Sequence, residues 1–272
     1  MGTMGAGSMA GLIEDDCVRY AATSGGSMPV ILMYHSVTPY REDPYQITVS
    51  PARFEQQMRW LRRRGLRGAS VREVLDARAM GCGQGLVGLT FDDGYADFVD
   101  YALPVLRRYA FTATAYVIAD RLGGDNEWDP EGPRKPLMSA EVVRQVADAG
   151  IEIGSHGLRH VSLPAAPEGA LAGEIEESRR ALQDVSGQDV PGFCYPYGDI
   201  DGAVVDAVRG AGYDYACAIW PSEHTGQHAL PRIFVGEADS APRMWGKGLR
   251  HWLTWDYRGP GARRLSLDPS RT

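Results

Sequence analysis

A chain of 272 residues with 44% hydrophobic and 23% charged side chains can bury a large core and fits one domain of barrel size better than two small ones. Its formal net charge of -7 supplies no basic footprint, which argues against nucleic acid or an anionic membrane surface as a partner. No stretch reaches the ~18 apolar residues of a membrane span, the start lacks the basic-then-apolar order of an export signal, and Cys17, Cys82, Cys194 and Cys217 show no C-x-x-C spacing, so a cytoplasmic protein with reduced thiols is expected.

Residues 1–28, rich in Gly, Ser, Ala and Met, read as a flexible N-terminal segment. The apolar run at 30–34 predicts a strand that ends at His35. Ser50-Pro51 then supplies an N-cap and a first helical residue, and Phe54, Met58 and Leu61 follow at helical spacing before Gly65. Ser70 and Glu73 form a capping-box pattern that opens a second helix running to about Met80. Residues 86–91 read as a buried strand, 96–109 as a helix and 112–118 as a strand. A long loop at 123–136 carries Trp128 and Asp129. Beyond it come a helix at 140–149 behind Ser139, a strand at 151–154, a helix at 168–185, a strand at 193–195, a helix at 203–209, and strands at 213–219 and 232–235. Repeated strand–helix units argue for an α/β fold with a parallel sheet, and about seven of them for closure into a barrel, with a doubly wound open sheet as the alternative. The barrel is set at 29–240. Residues 241–272 read as an extension whose Trp245, Trp252, Trp255 and Tyr257 pack on the barrel or a second subunit, with a disordered end.

Two motifs carry chemistry. Asp92 and Asp93, in Leu89-Thr90-Phe91-Asp92-Asp93-Gly94-Tyr95, are adjacent carboxylates at the end of an apolar run, although Asp-Asp-Gly alone would read as a turn. His156 and His160 stand four apart, a spacing that on a helical turn lets both imidazoles reach one ion. Two histidines and one carboxylate make the usual three-ligand set of an open catalytic metal site, and one carboxylate is left over. The predicted strands put Asp92 and Asp93, His156, Pro196-Tyr197-Gly198 and His35 after strand C-terminal ends, the rim where barrel chemistry collects. The combination points to metal-assisted hydrolysis.

In this order and spacing, Thr90-Phe91-Asp92-Asp93-Gly94, Ser155-His156 to His160 and Tyr195-Pro196-Tyr197-Gly198 resemble the polysaccharide deacetylases of carbohydrate esterase family four, over about residues 29–235. The resemblance implies a distorted (β/α)7 barrel that removes acetyl groups from a carbohydrate. It assigns Asp93, His156 and His160 as ligands of a divalent metal, Zn2+ first with Co2+ or Ni2+ as alternatives, and Asp92 as general base. The ion would lower the pKa of a water and polarise the acetyl carbonyl while Asp92 takes the proton. The oxyanion would meet the backbone N–H of Tyr197.

Two departures from that pattern matter. The family's third motif begins with an arginine partner for the catalytic aspartate, but here that position is Cys194; Arg232, in Leu230-Pro231-Arg232-Ile233, is the candidate replacement because a guanidinium fork suits a carboxylate. The late Leu-x-His motif that supplies a general acid is also absent, and no such motif surrounds His251. Met33-Tyr34-His35-Ser36 resembles the opening of the poly-N-acetylglucosamine deacetylase branch, which implies that His35 is the acid. Substrate contacts are expected from Tyr195, Pro196 and Trp128, and from His224 and His228, a second H-x3-H that lacks a carboxylate pair and reads as a loop at the groove edge.

The expected function is a metal-dependent N-deacetylase acting on an N-acetylated amino sugar in a soluble glycoside, oligosaccharide or biosynthetic intermediate. Three alternatives stay open: a hydrolase of a non-sugar amide or cyclic amide, a wall or exopolysaccharide deacetylase if an export signal has been lost, and a carbohydrate-binding protein without catalysis. The sequence leaves the oligomeric state open.

Overall fold

Short runs of apolar residues flanked by capped helices form strands that are buried along nearly their whole length. The computed structural model describes residues 28–255 apart from residue 168. Its strands are β1 (Ile31–Tyr34), β2 (Ser36–Val37), β3 (Thr48–Val49), β4 (Arg67–Ala69), β5 (Leu86–Phe91), β6 (Thr114–Val117), β7 (Glu152–Ser155), β8 (Gly192–Cys194), β9 (Tyr215–Cys217) and β10 (Ile233–Phe234). The main sheet is parallel and runs β10-β1-β5-β6-β7-β8-β9, with β4 beside β5 off this path. The residues leading into β10 close the ring on β9: Leu230 N donates to Ala216 O at 2.8 Å, Ala218 N to Leu230 O at 2.8 Å and Arg232 N to Ile219 O at 3.2 Å. The result is a distorted β/α barrel. The distortion centres on β5, whose one edge is shared: Leu86, Val87 and Gly88 pair with β4, and Thr90 and Phe91 with β6.

The helices are α1 (Pro51–Arg63), α2 (Val71–Ala79), α3 (Leu103–Tyr109), α4 (Ala140–Asp148), α5 (Ser178–Ser186), α6 (Gly202–Gly210) and α7 (Ala241–Trp255). Ser50, Ser70, Ser139 and Asp201 each cap the next helix by accepting a backbone N–H three residues on. Phe54, Met58 and Leu61 of α1 face the layer between helices and sheet, where most of the apolar core lies. A smaller cluster joins Ile31, Tyr116, Cys194, Tyr215 and Cys217 of the sheet with Val71 of α2 and Leu230 ahead of β10.

Several expectations change. The helix expected over 96–109 opens as a π-turn, Phe98–Ala102, before α3, because Pro104 has no amide to donate to the preceding turn. The helix expected over 168–185 is Ala170–Ala172, a π-turn at Gly173–Glu177 and then α5. Pattern reading overlooked β2, β3 and β4, which are too short to show an alternation. It also overlooked α7, whose Pro242, Gly246 and Gly248 are weak helix formers. Packing sustains that helix: Met244 and His251 are buried, His251 Nε2 lies 3.1 Å from Met28 O, and Lys247 Nζ donates to Phe234 O at 2.6 Å. Helix α7 therefore packs on the barrel through Met244, Lys247 and His251, while Trp245 and Trp252, expected to pack there, are 51% and 45% exposed. The expectations for residues 1–27 and 256–272 lie outside the described residues. The expectation of reduced thiols fails at Cys82, which is disulfide-bonded; Cys194 and Cys217 are free and buried. Among the described residues no helix is long and apolar enough to cross a membrane.

Two glycines decide whether the ring can hold its tyrosines. A Cβ on Gly154 of β7 would collide with the Tyr116 ring, and one on Gly192 of β8 with Tyr215. The space goes to buried rings whose hydroxyls are used: Tyr116 OH donates to Cys217 Sγ at 3.2 Å and Tyr215 OH to Glu152. Gly192→Ala is expected to destabilise the protein by about 1–3 kcal/mol through overpacking. Denaturant unfolding checks it, and a variant as stable as the parent would mean that the ring has slack.

Candidate active site

The C-terminal ends of β1, β5, β7 and β8 bring the chemistry-bearing residues to one rim. Asp92 N continues the ladder by donating to Tyr34 O at 2.9 Å, and His156 N does the same to Val117 O at 2.9 Å. Immediately afterwards the backbone turns into the left-handed region, at Asp93 (φ 70°), Gly94 (φ 72°) and Gly157 (φ 78°), and again at His160 (φ 63°). His156 and His160 thus meet through a turn containing Gly157 and not through a helical turn, although the four-residue spacing is the same.

Asp93, His156 and His160 converge. Asp93 Oδ1 lies 3.3 Å from His156 Nε2 and 3.4 Å from His160 Nε2, and all three side chains are buried. His156 Nδ1 is 2.8 Å from Cys194 O, which fixes the ring so that Nε2 faces the aspartate. One ligand atom from each residue lies within 4.8 Å of the others, the compact nitrogen and oxygen donor set that a divalent cation such as Zn2+ requires. Burial, then the neighbouring imidazoles, pushes the His160 pKa down to about 4, so its ring is neutral near pH 7, the form that ligates. Burial raises the Asp93 carboxyl, but the two histidines outweigh it and hold the group far below the usual carboxylate range.

Asp92 is held apart from this trio. Arg232 grips it at two points, Nη1 to Oδ1 at 2.7 Å and Nη2 to Oδ2 at 2.8 Å, with both residues buried. The same guanidinium donates to Thr90 Oγ1 at 3.0 Å and Ala218 O at 3.0 Å, and Nη2 lies 3.1 Å from Cys194 Sγ. Burial pushes the Cys194 thiol pKa up, so the group is protonated and points its S–H at Asp92 Oδ2, 3.6 Å away. Burial also raises the Asp92 carboxyl, and Arg232 more than offsets it, keeping Asp92 ionised. His35 Nε2 stands 3.9 Å from Asp92 Oδ2 with the ring partly open to solvent, and its Nδ1 has no hydrogen-bond partner among the described residues.

Aromatic rings frame the histidines. The His160 ring lies 4.6 Å from Trp128 and 4.5 Å from Tyr197, which is 51% exposed and sits at φ 59°. Trp128 rides on the 123–136 loop, which Lys135 pins down: its Nζ donates to Ser36 Oγ at 3.0 Å and Thr48 Oγ1 at 2.6 Å. Other expected substrate contacts have partners within the fold. Tyr195 is buried and donates its hydroxyl to His228 O at 2.7 Å, while His228 Nε2 is 2.9 Å from Tyr213 O. Gly226 and Ala229 bridge antiparallel, so His228 sits in the tip of a tight hairpin that His224 precedes, and His224 Nε2 lies 3.8 Å from Glu223. Pro196 is buried as the first residue of the turn that presents Tyr197.

Glu174 was not singled out from the sequence. It is 3% exposed, its Oε2 accepts Leu158 N and Arg159 N at 3.0 Å each, and Arg159 Nε lies 3.2 Å from Oε1. It braces the turn between the two histidines from within the π-turn before α5. Glu174, Glu176 and Glu177 are indistinguishable by pattern, so only the π-turn, a feature frequent at functional sites, marks it.

Known proteins share both sequence and fold with this chain. The polysaccharide deacetylase family model matches residues 81–216, a span that holds Asp92, Asp93, His156, His160 and Tyr197 but neither His35 nor Arg232. The YxkH protein of Bacillus subtilis is 27% identical over 227 residues, 82% of this chain and 76% of that protein. A Staphylococcus aureus protein named poly-β-1,6-N-acetyl-D-glucosamine N-deacetylase is 22% identical over 203 residues, 70% of this chain and 68% of that one. Among solved structures, the Streptococcus pyogenes deacetylase PplD aligns with TM-score 0.68 at 23% identity, covering 82% of this chain and 98% of its own. IcaB from Ammonifex degensii aligns with TM-score 0.67 at 24% identity, covering 82% and 97%. Both share the barrel.

Removing the guanidinium would strand a buried carboxylate. Arg232→Ala is expected to cost about 3–5 kcal/mol of stability. In a double-mutant cycle with Asp92→Asn the two costs should fall short of adding. Additive losses would show that Asp92 is balanced by another group.

Proposed function

Because the chain belongs to the polysaccharide deacetylase family, we propose that it is a metal-dependent hydrolase that removes N-acetyl groups from N-acetylated amino sugars in oligosaccharides or larger glycans. The observation that carries this reading is the separation of two buried carboxylates: Asp93 shared by His156 and His160, and Asp92 held by Arg232. A divalent cation on Asp93, His156 and His160, Zn2+ by preference with Co2+ or Ni2+ as alternatives, would lower the pKa of a water and polarise the acetyl carbonyl. Asp92, kept ionised by Arg232, is placed to act as general base and would accept a proton from the attacking water. The Tyr197 backbone N–H is the donor assigned to the oxyanion. His35, close to Asp92 and partly open to solvent, donates a proton to the leaving nitrogen, so that acetate and a free amine depart. Trp128 and Tyr197, flanking His160, offer ring faces to the apolar side of a pyranose. The relative named for poly-β-1,6-N-acetyl-D-glucosamine supports an amino sugar over a non-sugar amide.

Mass spectrometry of N-acetylated oligosaccharides incubated with the protein tests the reaction: loss of acetyl mass is expected, and activity confined to non-carbohydrate amides would overturn it. Chelator-treated protein should be inactive and regain turnover with Zn2+ or Co2+; full turnover without metal would sink the metal assignment. Asp92→Asn and His35→Ala should each retain bound metal yet lose ~10²-fold or more in kcat, as expected for a missing general base or acid. An unchanged rate in either would remove that residue from its role.

A further inference from the structure

A cavity of about 840 Å3 opens beside the rim, and Phe234 belongs to both: it lines the cavity, and its ring lies 6.4 Å from that of His35. Across from it stand the segment after β2, with Tyr40 and Gln46, and the outer turns of α7. The acidic groups in its wall are already committed. Asp43 accepts Ile47 N at 3.2 Å and Thr48 N at 2.8 Å. Glu237 accepts Ser50 N at 2.8 Å and Ser50 Oγ at 3.1 Å. Asp239 accepts Gly236 N at 2.8 Å and Lys247 Nζ at 2.6 Å.

Two cations in the same wall are left over. Arg243 and Arg250 lie one on either side of Lys247 along one face of α7, and both are exposed. Among the described residues neither guanidinium has a hydrogen-bond or ion-pair partner, although the chain as a whole is acidic. The opposite wall is built rigidly: Gln46 is held in the left-handed region at φ 57°, a conformation costly for a non-glycine residue, and the Asp43 carboxylate clamps the two residues after it. Backbone strain kept by a dedicated carboxylate beside a cavity is a common mark of preorganised binding. Tyr40 and Phe234 add aromatic surface.

We propose that this cavity is a second carbohydrate subsite, taking the sugar next to the one being deacetylated, and that Arg243 and Arg250 select a carboxylate or phosphate group on that sugar. A guanidinium recognises either anion through paired N–H donors, and two of them free of partners among the described residues break no internal ion pair when they bind. The inference rests on the deacetylase reading above and narrows its substrate class to acidic N-acetylated glycans.

The test compares metal-loaded wild-type protein with the R243A/R250A double variant on matched N-acetylated oligosaccharides that are neutral, carboxylate-bearing or phosphate-bearing. Wild type should favour at least one anionic member over the neutral one by about tenfold or more in kcat/KM, chiefly through KM. The double variant should lose that preference, and added salt should shrink it in wild type. The two anionic arms identify which group is read. Equal kcat/KM for neutral and anionic members in wild type, or a preference that survives in the double variant, overturns the proposal and leaves the deacetylase reading standing. If wild type turns over no carbohydrate, the deacetylase reading falls. Calorimetric titration with the same anionic oligosaccharides then decides the cavity: binding weakened in the double variant supports it, and binding that is equal in both proteins or absent from wild type overturns it.

Discussion

Two like charges side by side in a nearly dry site cannot both persist without separate partners, and that constraint organises the rim. Asp92 and Asp93 are 3% and 4% exposed at the end of one strand. Asp93 is matched by two imidazoles, and Asp92 by a two-point guanidinium. The Asp92 partner also holds the barrel together. Arg232 comes from the segment that closes β9 onto β1, and its donors reach the end of β5 and the Ala218 carbonyl while Nη2 touches the Cys194 sulfur of β8. Charge balance and ring closure are therefore one interaction, and the Cys194 thiol lies against the arginine where it meets Asp92.

Local strain concentrates where the reacting groups are. Of the five non-glycine residues at positive φ among those described, Asp93, His160 and Tyr197 lie at the rim. Each such conformation costs on the order of 1–3 kcal/mol and survives only if its surroundings over-determine it. Glu174 does this for the histidine turn, and ladder hydrogen bonds that continue past β5 and β7 fix Asp92 and His156, the residues just before the left-handed turns at Asp93 and Gly157. Beneath them, Gly154 and Gly192 make room for the large rings that fill the barrel, so the rim rests on a packed floor.

Features set by short stretches of chain could be read without a structure. Strand β5 is a six-residue apolar run, and the strand over 86–91 needed no adjustment. Ser50, Ser70 and Ser139 announced their helices because an N-cap acts only three residues ahead. Asp92, Asp93, His156 and His160 stood out because donor type and spacing are properties of the chain. Features that depend on distant partners were hidden. Strand β4, Arg67-Gly68-Ala69, has no apolar signature and exists because β5 offers it half an edge. Helix α7 contradicts its own propensities and is held by Phe234, Asp239 and Met28. His224 and His228 repeat the spacing of the ligand pair, yet a hairpin separates them.

The sequence by itself determined the alternation of strands and helices, the rim on which chemistry collects and the identity of the donor atoms, because each follows from periodicity, capping and side-chain type within a few residues. The tertiary structure decided which donors share a site and which only look alike, brought Arg232, a candidate from its residue type, across 140 residues onto Asp92, and placed Glu174 to brace the histidine turn. Those outcomes depend on how the ring closes, and closure is a long-range condition that no local pattern of residues encodes.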